Sequence, residues 1–391
     1  MKQRAMIVAG VMSGTSADGV DVALTRIAPR RGNTPKVELL ALKSFSYPAT
    51  LRRAVLAAMD APSIATAELA RLNWRLGEVY ADAVAETLRK YNVQAELVGC
   101  HGQTIYHQGV ARPYLGKPLR CTWQLGEPAL LVERLKIPVV SNFRPADIAA
   151  GGQGAPLVPM LDYVLFRDAK RNRVLQNLGG IGNLTVLPAG VASEQVFAFD
   201  TGPANMVLDA CMQQLFHKPY DRNGAVAERG EIILPAVLEL LKDKFFSARP
   251  PKSAGREEFG KSYVARLLKL CKKEHAHPED VIATATALTA WTIAKAYKRF
   301  VAPKLSGTAP TEFIVSGGGT RNTSLMTVLD ISLKTLNCTV QTTDAFGLPS
   351  QAKEATAFAL LAWLTLHHEP GNIASATGAS RPIILGSITY A

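Results

Sequence analysis

The sequence predicts an α/β protein of two similar lobes with a ligand cleft between them, on three observations. The chain has 391 residues, too many for one ordinary domain and suited to two of roughly 150–200 residues each. Its halves follow one plan: strand, glycine-rich turn, strand, strand, then alternating helices and strands. Three glycine-rich turns, at 13–19, 178–183 and 316–320, adjoin apolar, strand-like runs.

Taken in order, apolar runs at 5–11 and 20–27 flank Met12-Ser13-Gly14-Thr15-Ser16-Ala17-Asp18-Gly19 and read as strand, turn, strand, with a third strand at 37–47. From 62 to 91, Leu69, Leu72, Leu76, Val79, Val84 and Leu88 fall on one helical face. A short buried strand at 95–100 runs into His101-Gly102-Gln103-Thr104; a helix at 128–135 and a strand at 138–142 follow. Composition shifts to Gly, Ala and Pro over 149–159, and a helical stretch at 157–166 precedes the charged run 167–173. In the second half, strands are expected at 174–177, 184–187, 196–199 and 312–315. Helices are expected at 203–216, 232–244, 263–273, 278–301 and 352–367. The halves share no sequence period, so the echo is architectural.

Composition narrows the class. Apolar residues make up 48% and charged residues 19%, enough for two cores and unlike a disordered chain. No apolar run reaches the roughly 18–20 residues of a membrane span, and the run at 5–11 is too short for a signal-peptide core. A cytoplasmic protein without a membrane partner is expected. Five scattered cysteines without a Cys-x-x-Cys pair read as buried thiols. The balance of 44 Lys+Arg and 32 Asp+Glu is +12. The basic residues are dispersed, and the clusters at 167–173 and 269–273 lack interleaved aromatics. A solvated surface is therefore expected, with no nucleic-acid partner.

The glycine turns carry the chemistry. Glycine lets backbone N–H groups approach a phosphate, and Ser or Thr hydroxyls add donors. No turn continues as the Gly-Lys-Ser/Thr of a Walker loop, and none reads Gly-x-Gly-x-x-Gly before a helix. Their order is more telling. Ser13 to Gly19 between strands resembles the first phosphate loop of the actin/hexokinase/acetate-kinase superfamily. Phe199-Asp200-Thr201-Gly202-Pro203 resembles its second phosphate segment, and Ser316-Gly317-Gly318-Gly319 its adenosine-binding turn.

Longer motifs narrow the resemblance to the anhydro-N-acetylmuramic acid kinase family along nearly the whole chain. They are Met12-Ser13-Gly14-Thr15-Ser16-x-Asp18-Gly19-Val20-Asp21, Cys100-His101-Gly102-Gln103-Thr104 and the stretch from Asn142-Phe143-Arg144-x-x-Asp147 to Gly154-Ala155-Pro156. Further on stand Phe199 to Pro203, Pro250-Pro251-Lys252-Ser253-x-Gly255-Arg256, Gly317-Gly318-Gly319-Thr320-Arg321-Asn322 and Lys353-Glu354-Ala355.

The resemblance implies a two-lobed actin-like ATPase (ribonuclease H-like) fold with the active site in the interlobe cleft. Residues 1–160 would form the first lobe, with the last helix packing back on it, and 161–391 the second. ATP and Mg²⁺ are the implied cofactors, an anhydro amino sugar the substrate and a homodimer the assembly. Nucleotide contacts would come from Ser13, Gly14, Thr15, Ser16, Ala17, Asp18, Gly19, Val20, Asp21, Gly179, Gly180, Asn183, Gly202, Gly317, Gly318 and Gly319. The metal would arrive with ATP, near Asp18, without a protein site of its own. Asp200 would deprotonate a water that opens the 1,6-anhydro bridge, with Glu354 positioning it, while the freed oxygen takes the phosphoryl group. Gln103, Thr104, Arg144 and Asp147 would face the sugar, Arg144 pairing with its lactyl carboxylate. Alternatives are a same-fold kinase of another anhydro sugar such as levoglucosan, and a non-kinase, sugar-responsive ATP-binding clamp.

Plainer readings stand beside these. Asp200 before Thr-Gly-Pro suits a helix cap, Glu354 suits the first turn of a helix, and Arg144 with Asp147 suits a surface ion pair. Lys252 and Arg256 read as surface residues. The chain departs from the family pattern at Ala17, where a larger apolar residue is expected, Gly182 (Ala), Ala204 (Gly) and Glu127 (Asp).

Overall fold

A computed structural model describes residues 4–14, 16–30, 33–305, 307 and 309–391. In chain order the first part reads β1 (Met6–Ser13), β2 (Gly19–Arg30), β3 (Asn33–Ser46), α1 (Ala49–Asp60), α2 (Thr66–Tyr91), β4 (Leu97–Tyr114), β5 (Lys117–Leu125), α3 (Pro128–Leu135), β6 (Val139–Ser141), α4 (Pro145–Ala149) and α5 (Pro159–Phe166). It continues with β7 (Asn172–Leu178), β8 (Ile181–Leu187), β9 (Phe197–Pro203), α6 (Asn205–Phe216), α7 (Leu234–Leu240), α8 (Lys244–Ser247), α9 (Arg256–Phe259), α10 (Lys261–Lys273) and α11 (Pro278–Ala296). The last elements are β10 (Thr311–Ser316), α12 (Thr323–Lys334), β11 (Cys338–Thr342), α13 (Lys353–Leu366), α14 (Ala374–Thr377) and β12 (Ser387–Thr389). The chain forms two compact units, one of residues 1–165 with 352–391 and one of residues 166–351.

The first unit is built on the sheet order β12-β6-β4-β1-β2-β3, with β5 paired to β4. Strands β1, β2 and β3 form an antiparallel meander, while β4 lies parallel to β1 and β6 parallel to β4. Helix α13 is buried from Ala355 to Thr365 and packs on β1, β4 and β2. Two glycines permit that approach. A Cβ on Gly10 would collide with the Ala355 carbonyl oxygen, and one on Gly99 with that of Phe358.

The second unit repeats the plan. Its sheet order is β11-β10-β7-β8-β9, with β7, β8 and β9 antiparallel and β10 and β11 joined in parallel. Order β3-β2-β1-β4-β6 in the first sheet thus matches β9-β8-β7-β10-β11 in the second, which is the architectural echo expected from the sequence. Both units are α/β, as expected.

Helices α1 and α12 and strand β11 were not expected, and other elements differ in extent. The strand expected at 95–100 extends through Tyr114 because β5 pairs with it as a hairpin, exposed at Tyr106, Tyr114 and Trp123. Beyond Ile105 both faces of the hairpin are exposed or half-buried, so the alternation that marks a strand with one packed face is missing. The helix expected from Pro203 starts at Asn205, because Pro203 still pairs with Ile181 in the sheet. The helix expected over 232–244 is the short α7, followed by α8.

Candidate active site

In the first unit β1 ends at Ser13 and β2 opens at Gly19. Strand register places Ser13 beside Gln103, and the buried Ser13 Oγ donates to Gln103 Oε1 at 2.6 Å. Tyr47 Oη lies 2.7 Å from Ser13 Oγ and 3.1 Å from Tyr80 Oη. Gln103 Nε2 donates to the Gly14 carbonyl at 3.1 Å. Gln103 therefore spends its amide beneath the glycine turn, a different use from the sugar contact expected of it. The Ala17 amide donates to the Gly14 carbonyl at 3.1 Å, and the Tyr47 amide to that of Asp18 at 2.9 Å.

Ala17 is buried in the left-handed region at φ 54°, where a methyl group is tolerated better than a branched side chain. Above Gly14 there is room: a Cβ there would meet only Ser16 Oγ, at 3.8 Å. Val20 belongs to the core. Asp18 is exposed and 3.2 Å from Arg52, a surface pair worth little. Burial raises the Asp21 carboxyl above its ordinary pKa, with a hydrogen bond to Ser44 opposing. Thr15 lies outside the described residues.

The same unit gathers Arg144, Asp147, His101 and Glu354. Arg144 Nε donates to His101 Nε2 at 2.9 Å, and Nη1 to the Gly154 carbonyl at 2.7 Å. His101 packs on Phe358 of α13, with ring centroids 4.5 Å apart. Burial, then the Arg144 charge, holds its pKa well below the ordinary value. The neutral ring accepts at Nε2, so Nδ1 carries its proton.

Asp147 is fully buried: Oδ2 accepts from the Gly154 amide at 2.8 Å, and Oδ1 accepts from Asn372 Nδ2 and Thr377 Oγ1, each at 2.7 Å. It thus ties residues 144–154 to the C-terminal segment, and the surface pair with Arg144 is not formed. Glu354 stands in the first turn of α13, open to solvent over more than a third of its surface. Protein crowding around it raises its pKa, against the nearby Arg144 and Lys353 charges. Burial lowers Arg144 to about 10, with Glu354 and then Asp147 opposing.

Beside these residues, just past the parallel pairing of β4 with β6, lies a recess of about 180 Å³. Asn73, His101, Gln124, Glu127, Ser141 and Asn142 are among its lining residues. Thr104 Oγ1 accepts from Gln124 Nε2 at 3.2 Å. Glu127 caps α3 through the Ala129 amide and accepts from Asn73 Nδ2, both at 3.2 Å.

In the second unit Asp200 lies in β9 opposite Asn183. Its amide donates to the Lys252 carbonyl at 3.0 Å, and its Oδ2 accepts from the Ala254 amide at 2.8 Å. The helix-cap reading fails here, because the Ala204, Asn205 and Met206 amides go to the carbonyls of Gly179 and Gly180. Burial raises Asp200 to about 6, opposed by the Ala254 amide and Lys252, with Glu258 adding to the rise.

Gly202 (φ 143°) and Gly317 (φ 91°) occupy backbone conformations that favour glycine. Register sets Ser316 beside Asn177. Asn205 Nδ2 holds the Leu178 carbonyl at 2.9 Å and lies 3.8 Å from where a Gly318 Cβ would stand. The turns at 178–180 and 317–319 therefore converge on Asn205. Room above Gly180 and Gly318, where a Cβ would meet nothing closer than 3.5 Å, fits backbone approach by a phosphate or nucleoside.

The family model for anhydro-N-acetylmuramic acid kinase matches residues 6–391. The chain belongs to that family. Anhydro-N-acetylmuramic acid kinases of Bacillus cereus (strain AH187) and Bacillus thuringiensis (strain Al Hakam) are each 42% identical over 388 residues. The match covers 98% of this chain in both, and 99% and 98% of theirs. A solved chain similar over 92% of this one and 94% of its own is the Clostridium difficile activator of 2-hydroxyisocaproyl-CoA dehydratase with bound ADPNP, at 12% identity and TM-score 0.43.

In this anhydro-N-acetylmuramic acid kinase family member, Lys252 is not the surface residue its sequence context suggests. It is half-buried, donates to the Phe245 carbonyl at 2.8 Å, and sits 4.4 Å, 5.0 Å and 5.8 Å from the ring centroids of Phe245, Phe300 and Phe199. The aromatics come from separate stretches of sequence, so no local pattern marks the cage. Asn205 and His101 likewise take their places from tertiary contacts, with the Leu178 carbonyl and with Arg144 and Phe358.

Proposed function

We propose that this chain is an ATP-dependent kinase that opens 1,6-anhydro-N-acetylmuramic acid with water and phosphorylates it, giving N-acetylmuramic acid 6-phosphate. The observation that carries the reading is Asp200, with one oxygen tied to a backbone amide and a pKa of about 6. At neutral pH such a carboxylate is mostly ionised, yet basic enough to accept a proton in the transition state. Water attacks the anomeric carbon as its bond to the sixth oxygen breaks, and Asp200 receives the water proton. The released oxygen takes the γ-phosphoryl group, and ADP leaves.

We assign the first unit the phosphate turn at 13–19, water positioning by Glu354 and recognition of the lactyl carboxylate by Arg144. The second unit supplies Asp200 and the turns at 178–180 and 317–319. Within the first unit, Ser13 and Gln103 would set the turn's shape and Asp147 the loop that carries Arg144. Mg²⁺, brought in with ATP, would neutralise phosphate charge during transfer. The same reading includes a homodimer and a cytoplasmic role in peptidoglycan recycling.

Labelled water tests the mechanism. Product formed in H₂¹⁸O should carry ¹⁸O at the anomeric hydroxyl and none in the 6-phosphate ester link. Label in the ester link, or a strong preference for levoglucosan in a substrate panel, would sink this assignment.

A further inference from the structure

Residues 252–254 lie against the strand that carries Asp200. The Lys252 carbonyl takes the Asp200 amide at 3.0 Å, and the Ala254 amide holds Oδ2 at 2.8 Å, so backbone and side chain are pinned from one segment. Between those two contacts, the Lys252 side chain turns into its cage of Phe199, Phe245 and Phe300. Phe199 immediately precedes Asp200 in β9, so their side chains leave opposite faces of the strand and the cage anchors residues 252–254 behind the carboxylate.

The cation is held there at a cost. Burial, Arg299 and Lys295 all act against its charge, with Asp200 in its favour, and its pKa falls to about 8. An apolar side chain among three phenylalanines would avoid that desolvation. A surface lysine kept for solubility would not be arranged this way.

We infer that residues 252–254 are a positioning device for Asp200, the Ala254 amide aiming its carboxylate and the caged Lys252 side chain anchoring the segment that presents that amide. For turnover, this rests on Asp200 being the base. The groups acting on that carboxylate are the Ala254 amide and Lys252, which favour the charged form, and Glu258, which opposes it. Glu258 Oε2 takes the Gly255 amide at 2.8 Å, so both ends of the segment bear on the same group. Lys252, at about 8, stays charged through the range around 6 in which Asp200 titrates.

The test uses the full chain with Lys252→Met, Lys252→Arg and Glu258→Gln. Carboxyl-¹³C aspartate NMR, with the Asp200 signal assigned by its loss in Asp200→Asn, reads the titration directly. The acid limb of kcat/KM reads its consequence. Lys252→Met should raise both midpoints by about one pH unit, and Lys252→Arg should restore most of the shift. Glu258→Gln, which keeps a capping oxygen, should lower both and supplies the test should Lys252→Met fail to fold. An Asp200 midpoint unmoved in every variant that folds would overturn the device. A midpoint that moves while the acid limb stays would leave the device standing and remove Asp200 from the base role.

Discussion

At the scale of single residues, Asp200 sets function against stability. Its folded pKa of about 6 lies above the ordinary 3.8, so the folded state binds this proton more tightly than the unfolded state. Stability from the protonated form is full below about pH 4 and lost as pH rises through 6. At neutral pH the ionised carboxylate costs on the order of 1–3 kcal/mol. Asp200→Asn keeps an oxygen for the Ala254 amide and removes that charge. It should reduce turnover by roughly 10²–10⁴-fold yet raise the melting temperature at pH 8, with a smaller gain at pH 5. Calorimetry at both pH values checks this; a lower melting temperature at pH 8 would contradict the sign. Asp209 on α6 is raised to about 7 by burial alone, and Asp209→Asn should likewise stabilise the fold more at pH 8 than at pH 5. For the wild type, kcat/KM should fall tenfold per pH unit well below about 6, which a rate profile would show directly.

At the scale of elements, α13 and the sheet beneath it make Glu354 available. The helix sits close because Gly10 and Gly99 present bare backbone to the Ala355 and Phe358 carbonyls. Gly10→Ala must push α13 outward near Glu354, or displace β1, whose end carries Ser13. The expected cost is about 1–3 kcal/mol, seen as a lower urea midpoint at unchanged slope. Activity should fall even where the variant remains folded, and a variant with wild-type turnover would show that the spacing is unimportant to the site. The elements most legible in the sequence were those with regular periods, such as α2, and glycine turns bounded by apolar strands. The β4–β5 hairpin was not legible because from Tyr106 to Tyr114 successive residues on both faces are exposed or half-buried, which leaves no apolar alternation. Asp147 looked like half of a surface ion pair because its partners, Asn372 and Thr377, lie more than 200 residues away in sequence. The positions of Asp200 and Glu354 followed from the motifs, whereas the groups that tune them, Lys252, Ala254 and Arg144, depend on tertiary contacts.

At the scale of the whole molecule, the two units differ in how the chain completes them. The second is one continuous segment, 166–351, with apolar clusters around α6 and α11 and under β7 and β10. The first needs residues 352–391, and above all α13. Phe358 makes tilted ring contacts with His101 and Phe143, centroids 4.5 Å and 5.3 Å apart, and Trp363, Leu360 and Leu361 are buried on the same helix. Lys353 adds a buried ion pair to Asp162 at 2.8 Å. Removing α13 exposes the apolar face of β1 and β4, and leaves Asp162 without its cation inside the protein. Each fully buried aromatic or aliphatic side chain contributes roughly 1.5–3 kcal/mol, so losing Phe358, Leu360, Leu361 and Trp363 costs about as much as the 5–15 kcal/mol by which a domain is ordinarily stable. A chain ending at Gln351 should therefore lose the first unit and keep the second. Limited proteolysis read by mass spectrometry should cut residues 1–165 rapidly while 166–351 survives as a protected fragment. Equal protection of both regions would mean that β1–β6 hold together without α13, and the packing account of Gly10 and Gly99 would fall with it.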